Sequence, residues 1–522
     1  MATAETFQGG PAARGGLASL SPVVPVVGRL HIMVWLFLIT MATPVNFFVG
    51  SLSLSPMRLL LILSVIPLTV AVFTGKYGKV LPTDWLLYVF VLWATVCMAM
   101  NNPDRVVENI GSMGIELIGG YLIGRCFIRG PSDVIALAKA LVMFAVIWFP
   151  FAIYESQTGD PFLISLVGKI PGLFSYADVS VQKRMGLERV QLVFAHPIHY
   201  GLYGSIAFSL VFVGLKGVFS DVQRWAAAGV TGFCVFLSLS SGAFLAMVLQ
   251  LGLIFWHYLF RNNPKKWKLL CILFAVAYVT IDLLSNRTPM KVFMSYATFS
   301  AHTAYWRALI FQYGMDNVWA NPVFGLGLRN WVRPSFMNSG SMDNFWLVQA
   351  VRYGIPGFLI IALAYGDLVR RVGFRNFEGD LLMIQLRRAW MFTFLGLSFT
   401  LSTVHIWTAV FAFVFMMLGT GHWMTAHVPQ GDGQLPKADP TPARKGLQFA
   451  RQPVAAEAAQ PVRGGALAFA RQRAEAAAPA GALPADEASN PAAGRSDDTR
   501  FTRFGRAERA APNWSRTPGK DA

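Results

Sequence analysis

Ser285 to Gly357 reads SNRTPMKVFMSYATFSAHTAYWRALIFQYGMDNVWANPVFGLGLRNWVRPSFMNSGSMDNFWLVQAVRYGIPG. The stretch is amphiphilic, yet it joins one apolar run near 268–284 to another near 343–366, each long enough to cross a bilayer. Irregular polar backbone has no partners in hydrocarbon, so the part between the runs must lie outside it. A large extramembrane loop held between two spans is the first place to look for chemistry.

Working outward, apolar runs of similar length recur from Leu30 to His422. With 54% of residues hydrophobic, 14% charged and a mean hydropathy of +0.48, the chain is expected to be an all-α polytopic membrane protein. Spans are predicted near 30–50, 57–74, 84–100, 109–128, 134–154, 198–215, 225–241, 242–260, 268–284, 343–366, 388–402 and 404–421, about twelve in all. A net charge of +17 would suggest a nucleic-acid partner in a soluble chain. Here the cations cluster in short loops between spans, as membrane orientation requires, and no nucleic-acid partner is expected. Cys97, Cys126, Cys234 and Cys271 all lie in apolar stretches without a CxxC spacing, which supports neither a disulfide framework nor a zinc site.

The loops are strongly asymmetric in charge. Lys76, Lys79, Arg125, Arg129, Lys216, Arg224, Arg261, Lys265, Lys266, Lys268, Arg370, Arg371, Arg375, Arg387 and Arg388 fall on one side, and only Arg58 and Arg105 on the short connections of the other. The positive-inside rule then puts both termini in the cytoplasm and the two long loops, 155–197 and 285–342, outside. Residues 1–29 read as a disordered leader, 30–422 as the transmembrane domain and 423–522 as a disordered cytoplasmic tail rich in Ala, Pro, Gly and Arg. The short repeat at Phe449-Ala-Arg-Gln and Phe469-Ala-Arg-Gln is too isolated to build a solenoid.

The outer loops carry arginines without an acidic metal cage. The first ends in Lys183-Arg184-Met185-Gly186-Leu187-Glu188-Arg189, followed by His196-Pro197-Ile198-His199 at the mouth of the next span. The second supplies Arg307, Arg329 and Arg333, and Arg352 lies within the span after it. An arginine at membrane depth costs about 2.5–3.5 kcal/mol on insertion scales, so Arg352 marks either a polar cavity or a packing pair such as one with Asp343. Guanidinium groups grip phosphate oxygens through paired donors, which suggests a pyrophosphate ligand, while solvated loop arginines are the plainer account. His196 and His199 lack a nearby third ligand, and no metal site is assigned.

At this point the residues resemble a family. Arg189, Phe194, His196 and Pro197 are similar to the R-x-x-G-x-F-x-x-P-N pattern of bacterial O-antigen ligases and lipid-linked polysaccharide polymerases of the Wzy type, and Ser238-Leu-Ser-Ser-Gly-Ala243 resembles their S-R-G-A turn. Trp306, Asn321-Pro-Val-Phe-Gly325-Leu-Gly327, Asp343-Asn344-Phe-Trp-Leu347 and Tyr353-Gly-Ile-Pro-Gly357 follow the order of the family's W, P-x-x-G-x-G, H-N-x-Y-L and G-I-x-G series. The likeness covers residues 30 to 422. Three departures stand out: Asp343 takes the place of the usual histidine, His302 that of an arginine, and Ser241 that of the turn's arginine. Asp-Asn at this place is closer to exopolysaccharide polymerases.

The resemblance implies a GT-C-like fold with its second outer loop partly helical. It also implies a metal-independent glycosyltransferase of the bacterial inner membrane, without cofactors, polymerising undecaprenyl-pyrophosphate-linked repeat units into exopolysaccharide or O-antigen on the periplasmic face. An O-antigen ligase is the alternative within the family, and a transporter or flippase of lipid-linked glycans the alternative outside it, although no similarity between halves supports the latter. Expected partners are the lipid-linked donor, a glycan acceptor and membrane lipid, with a chain-length regulator or export proteins beyond these. Arg189 and Arg307 are assigned to the departing pyrophosphate and Asp343 to the attacking hydroxyl, or Asp343 simply caps a helix. Arg329, Arg333, Arg352, Asn344, His196, His302 and Trp306 are assigned to substrate binding, the tryptophan as a sugar platform or an interfacial anchor.

Overall fold

A computed structural model describes residues 28–50, 52–179, 183–285, 301–377 and 379–427. The expected leader, to residue 27, and the expected tail, from residue 428, lie outside the described residues, as does 286–300.

The first helix, α1 (Ile32–Met41), is shorter than the span expected over 30–50. Pro44 lacks a backbone donor and disfavours helix before it. The chain instead folds back as an antiparallel hairpin, β1 (Phe47–Val49) against β2 (Leu52–Leu54), with Phe48 opposite Ser53. Ser55 then caps α2 (Pro56–Phe73) by accepting from Arg58 N, and Pro56 occupies the first turn, where no donor is needed. Next come α3 (Pro82–Asn101) and α4 (Val106–Gly114), which runs through a π-helical turn at Ile115–Gly119 into α5 (Gly120–Phe127). The first half closes with α6 (Pro131–Thr158), ended by the left-handed Gly159, and the short α7 (Phe162–Gly168).

The second half holds α8 (Pro197–Phe212), α9 (Asp221–Leu237), α10 (Ser241–Leu259), α11 (Lys266–Leu284), α12 (Ala301–Ala320), α13 (Phe345–Gly373), α14 (Leu381–Leu401), α15 (Thr408–Gly419) and α16 (His422–Ala426). Helices occupy all twelve stretches expected to span. Eight segments among the described residues are long and apolar enough to cross a membrane. The protein is an all-α polytopic membrane protein, and part of its second long loop is helical, as α12. Arg387 and Arg388, expected in a loop, lie inside α14, because Asp380 caps that helix from Met383 N.

Inside a bilayer, lipid removes the hydrophobic drive for helix association, so close packing and polar pairs carry it. Gly120 and Gly124, one turn apart on α5, abut the carbonyls of Ala412 and Met416 on α15, where any side chain would collide. At the end of α5, Arg125 donates through Nε and Nη2 to Asp84 on α3 at 2.7 and 3.0 Å, and Tyr121 Oη adds a bond of 2.6 Å. Both charges are fully buried, and removing one partner would leave the other uncompensated.

The feature that positions the site is a break in α13. Gly354 has φ +70° and ψ 179°, which splits the helix and frees carbonyls at its own depth. Each finds a partner: Val351 O accepts from Leu326 N at 2.7 Å, Arg352 O from Gly327 N at 3.0 Å, and Tyr353 O from Trp93 Nε1 at 2.9 Å. Ile355 N, released in turn, donates to Pro322 O at 2.8 Å. The 322–327 loop is thus stitched into the break. Gly325 and Gly327 are left-handed, and a Cβ on Gly325 would lie 2.6 Å from the Arg352 carbonyl. Around α12 and the start of α13, Val318, Trp331, Met337, Met342, Leu347 and Val348 form a separate small core. Asn317 ties it to the loop, exchanging bonds of 2.8 Å with both backbone groups of Val332.

Candidate active site

The loop between α7 and α8 is fastened from below by one carboxylate. Glu155, near the end of α6 and 3% exposed, accepts from Gln191 N at 2.6 Å and Leu192 N at 3.1 Å. Gln191 in turn bonds Val179 N and Ala177 O. This fixes the backbone two residues after Arg189, whose Nε donates to Ser238 O at 3.3 Å, while Arg184 Nη1 donates to Leu239 O at 2.6 Å. Both cations therefore meet the C-terminal end of α9, where the carbonyl dipoles favour positive charge. Met185, Leu192, Leu239 and Thr408 are the non-glycine residues with left-handed backbone among the described residues, and all four lie in the segments that frame this region. Strain of about 1–3 kcal/mol each persists only where the surroundings hold it.

Opposite, α12 presents Arg307, 9% exposed, with Nε bonded to nothing in the described protein. Burial, repulsion from Arg184 and Arg307, and an opposing pull from Asp343 bring Arg189 down to about 10. Burial also lowers Arg307, with Asp343 opposing it and Arg184 adding to it, and it alone lowers Arg184. All three remain charged at neutral pH. The structure thus brings Arg189, Arg307 and Asp343 within electrostatic reach of one another and adds Arg184, which the sequence reading passed over. Its signal was legible: Arg184 sits in the same basic run as Arg189, and the turn it grips has a serine, Ser241, where its likeness suggested an arginine.

Asp343 and Asn344 divide their roles. Asn344 Oδ1 caps α13 by accepting from Leu347 N at 3.0 Å. Asp343 does not cap; its Oδ1 accepts from Ser341 Oγ at 3.0 Å. The remaining expected residues are spread out. His196 caps α8 through Nδ1, and its ring lies 5.9 Å from that of Trp407; burial and Arg189 lower it to about 4. Trp407 also meets His199 at 4.2 Å and His405 at 5.8 Å, and Arg352 acts electrostatically on His405. Arg329 donates to Asn101 on α3. Arg333 is tied to Met337 O at 2.9 Å and lies over the Trp331 ring, inside its own loop. Trp306 packs in the small core beside Phe336. His302 is in the first turn of α12, and its side chain falls outside the described residues. No cluster of three or more metal-ligating side chains occurs among the described residues.

Residues 226–362 match a family model described as O-antigen ligase. The chain carries an O-antigen ligase family domain. None of the curated proteins compared with it matches. The O-antigen ligase match begins within α9 and ends within α13, so it contains the serine turn, Arg307, the 322–327 loop, Asp343 and the helix break. Arg184 and Arg189 lie before it, and only the folded chain carries them to it. The match, on a chain with several helices long and apolar enough to cross a membrane, supports a membrane enzyme of the O-antigen ligase and polymerase type.

Proposed function

We propose that the protein is a polysaccharide polymerase that transfers a growing glycan from undecaprenyl pyrophosphate to the sugar end of a second lipid-linked repeat unit, on the periplasmic face. The anomeric C–O bond to the pyrophosphate breaks, a new glycosidic C–O bond forms to the acceptor hydroxyl, and that hydroxyl's proton passes to Asp343. Arg189 and Arg307 bind the departing pyrophosphate, with Arg184 beside them. Charge that grows on the leaving group is stabilised most where donors are fixed before the reaction and water is excluded.

The observation that carries this is Arg307. A guanidinium with this little exposure and no hydrogen bond at Nε leaves a buried donor unsatisfied, at a cost of about 1–3 kcal/mol, among arginines that outnumber the one aspartate acting on them. A dianionic ligand removes that imbalance. Asp343 fits the remaining role because Asn344 has taken over the cap. A ligase reading is favoured by the description of the matching family, and it differs only in the acceptor.

The test is glycan extension by purified protein in detergent with lipid-linked repeat units. Asp343→Asn should lower turnover about 10²–10⁴-fold while the protein still folds. Arg307→Lys, which keeps charge but loses paired donors, should cost about 10²-fold or more. Undiminished chain extension in both variants rejects the assignment. Extension only when a different glycolipid acceptor is supplied would make the enzyme a ligase.

A further inference from the structure

We infer that the cavity between the β1–β2 hairpin and the π-helical turn is a sugar-ring subsite for the acceptor end of the glycan, separate from the arginine cluster; this rests on the transfer function proposed above. The cavity measures about 260 Å³, just below the range of drug-sized pockets, and is lined by Asn46, Ser53, Arg58, Glu116, Tyr176 and Thr408 among others.

Its electrostatics are opposite in kind to those of the arginine cluster. Arg58 Nε donates to Glu116 Oε1 at 2.8 Å, and Nη1 donates to Ser53 O at 2.7 Å. The pair is neutral overall, so a pyrophosphate entering here would meet a carboxylate with no surplus of positive charge. A neutral polyol is the better match, since each hydroxyl both donates and accepts and the walls offer guanidinium donors beside carboxylate acceptors. Asn46 adds an amide: its backbone bonds Phe174, but its side chain makes no hydrogen bond among the described residues.

An apolar face completes the match. Phe48 on β1 and Phe174 meet edge to face at 5.3 Å and line the cavity while remaining 57% and 53% exposed, which leaves ring surface for the C–H face of a sugar. The π-helical turn, which sets Glu116 against the hairpin, is the kind of helix distortion that recurs at functional sites. Two segments that line the cavity also lead, along the sequence, to the arginine cluster and to the histidines beside it. The loop that supplies Phe174 and Tyr176 goes on to Arg184 and Arg189, and the left-handed Thr408 directly follows Trp407, whose ring contacts His196 and His199.

The experiment uses the full-length protein in detergent and, as probe, the free repeat-unit oligosaccharide released from the cells' lipid-linked pool by mild acid. This probe lacks pyrophosphate and can act only as acceptor. Ser53→Trp, which fills the cavity, and the milder Asn46→Ala should raise its apparent KM about tenfold or more, with the donor KM and the thermal midpoint unchanged. An unchanged acceptor KM in folded Ser53→Trp overturns the subsite, and so does an equal rise for the donor. If wild-type protein transfers no sugar but saturation-transfer NMR still detects oligosaccharide binding that Ser53→Trp abolishes, the subsite stands and the transfer function falls.

Discussion

Single residues in this protein act through what they are prevented from doing. Arg189 donates to a carbonyl, feels repulsion from Arg184 and Arg307 and is only partly offset by Asp343, so it keeps positive charge for an anion. Arg189→Lys keeps the charge but loses the fork, and turnover in the extension assay should fall about tenfold or more without loss of expression. The histidines near Trp407 make a different prediction. Burial, with Arg189 and Arg352 respectively, lowers His196 to about 4 and His405 to about 3. The unfolded chain, with histidine near its ordinary 6.5, then binds more protons than the folded one between those values. Stability is therefore full above pH 6.5 and lost as pH falls toward 4. The thermal midpoint in detergent should drop over that window, and His405→Gln should flatten the drop; a midpoint independent of pH there would contradict it.

At the level of elements, the decisive device is the broken α13. Its unwound residues keep their hydrogen bonds only because the 322–327 loop and Trp93 supply partners, and this same stitching anchors the loop that leads to Asp343. Gly354→Ala would place a Cβ against the Val323 carbonyl at a φ of +70°. A loss of about 1–3 kcal/mol is expected from the backbone alone, and more from the collision. The readout is a lower melting temperature together with reduced extension, while Gly366→Ala on the same helix, where nothing lies within 4 Å, should be neutral. Gly325, Gly327 and Gly354 were visible in the chain only as members of two family-like motifs. That the three belong to one joint was not, because the bonds run between segments about 30 residues apart.

For the whole molecule, the first matter is which end of the bundle faces which compartment. The bias of cations toward one set of loops predicts that the arginine cluster faces the periplasm, with both termini in the cytoplasm. Alkaline phosphatase fused after residue 179 should be active and one fused after residue 262 inactive; the reverse pattern would invert the proposed topology. Composition and hydropathy determined the class of this protein and the positions of its helices, because the cost of placing polar backbone in lipid acts locally and uniformly along the chain. Residue type likewise marked Arg189, Arg307 and Asp343 as candidates. Only the tertiary structure decided that these three come within electrostatic reach of one another and of Arg184, that Arg329 and Arg333 are engaged elsewhere, that Asn344 rather than Asp343 caps α13, and that a hairpin and a π-helical turn border a cavity with a paired Arg58 and Glu116. Those outcomes depend on which carbonyl, carboxylate or ring each side chain meets across the bundle, and a linear pattern carries no record of such partners.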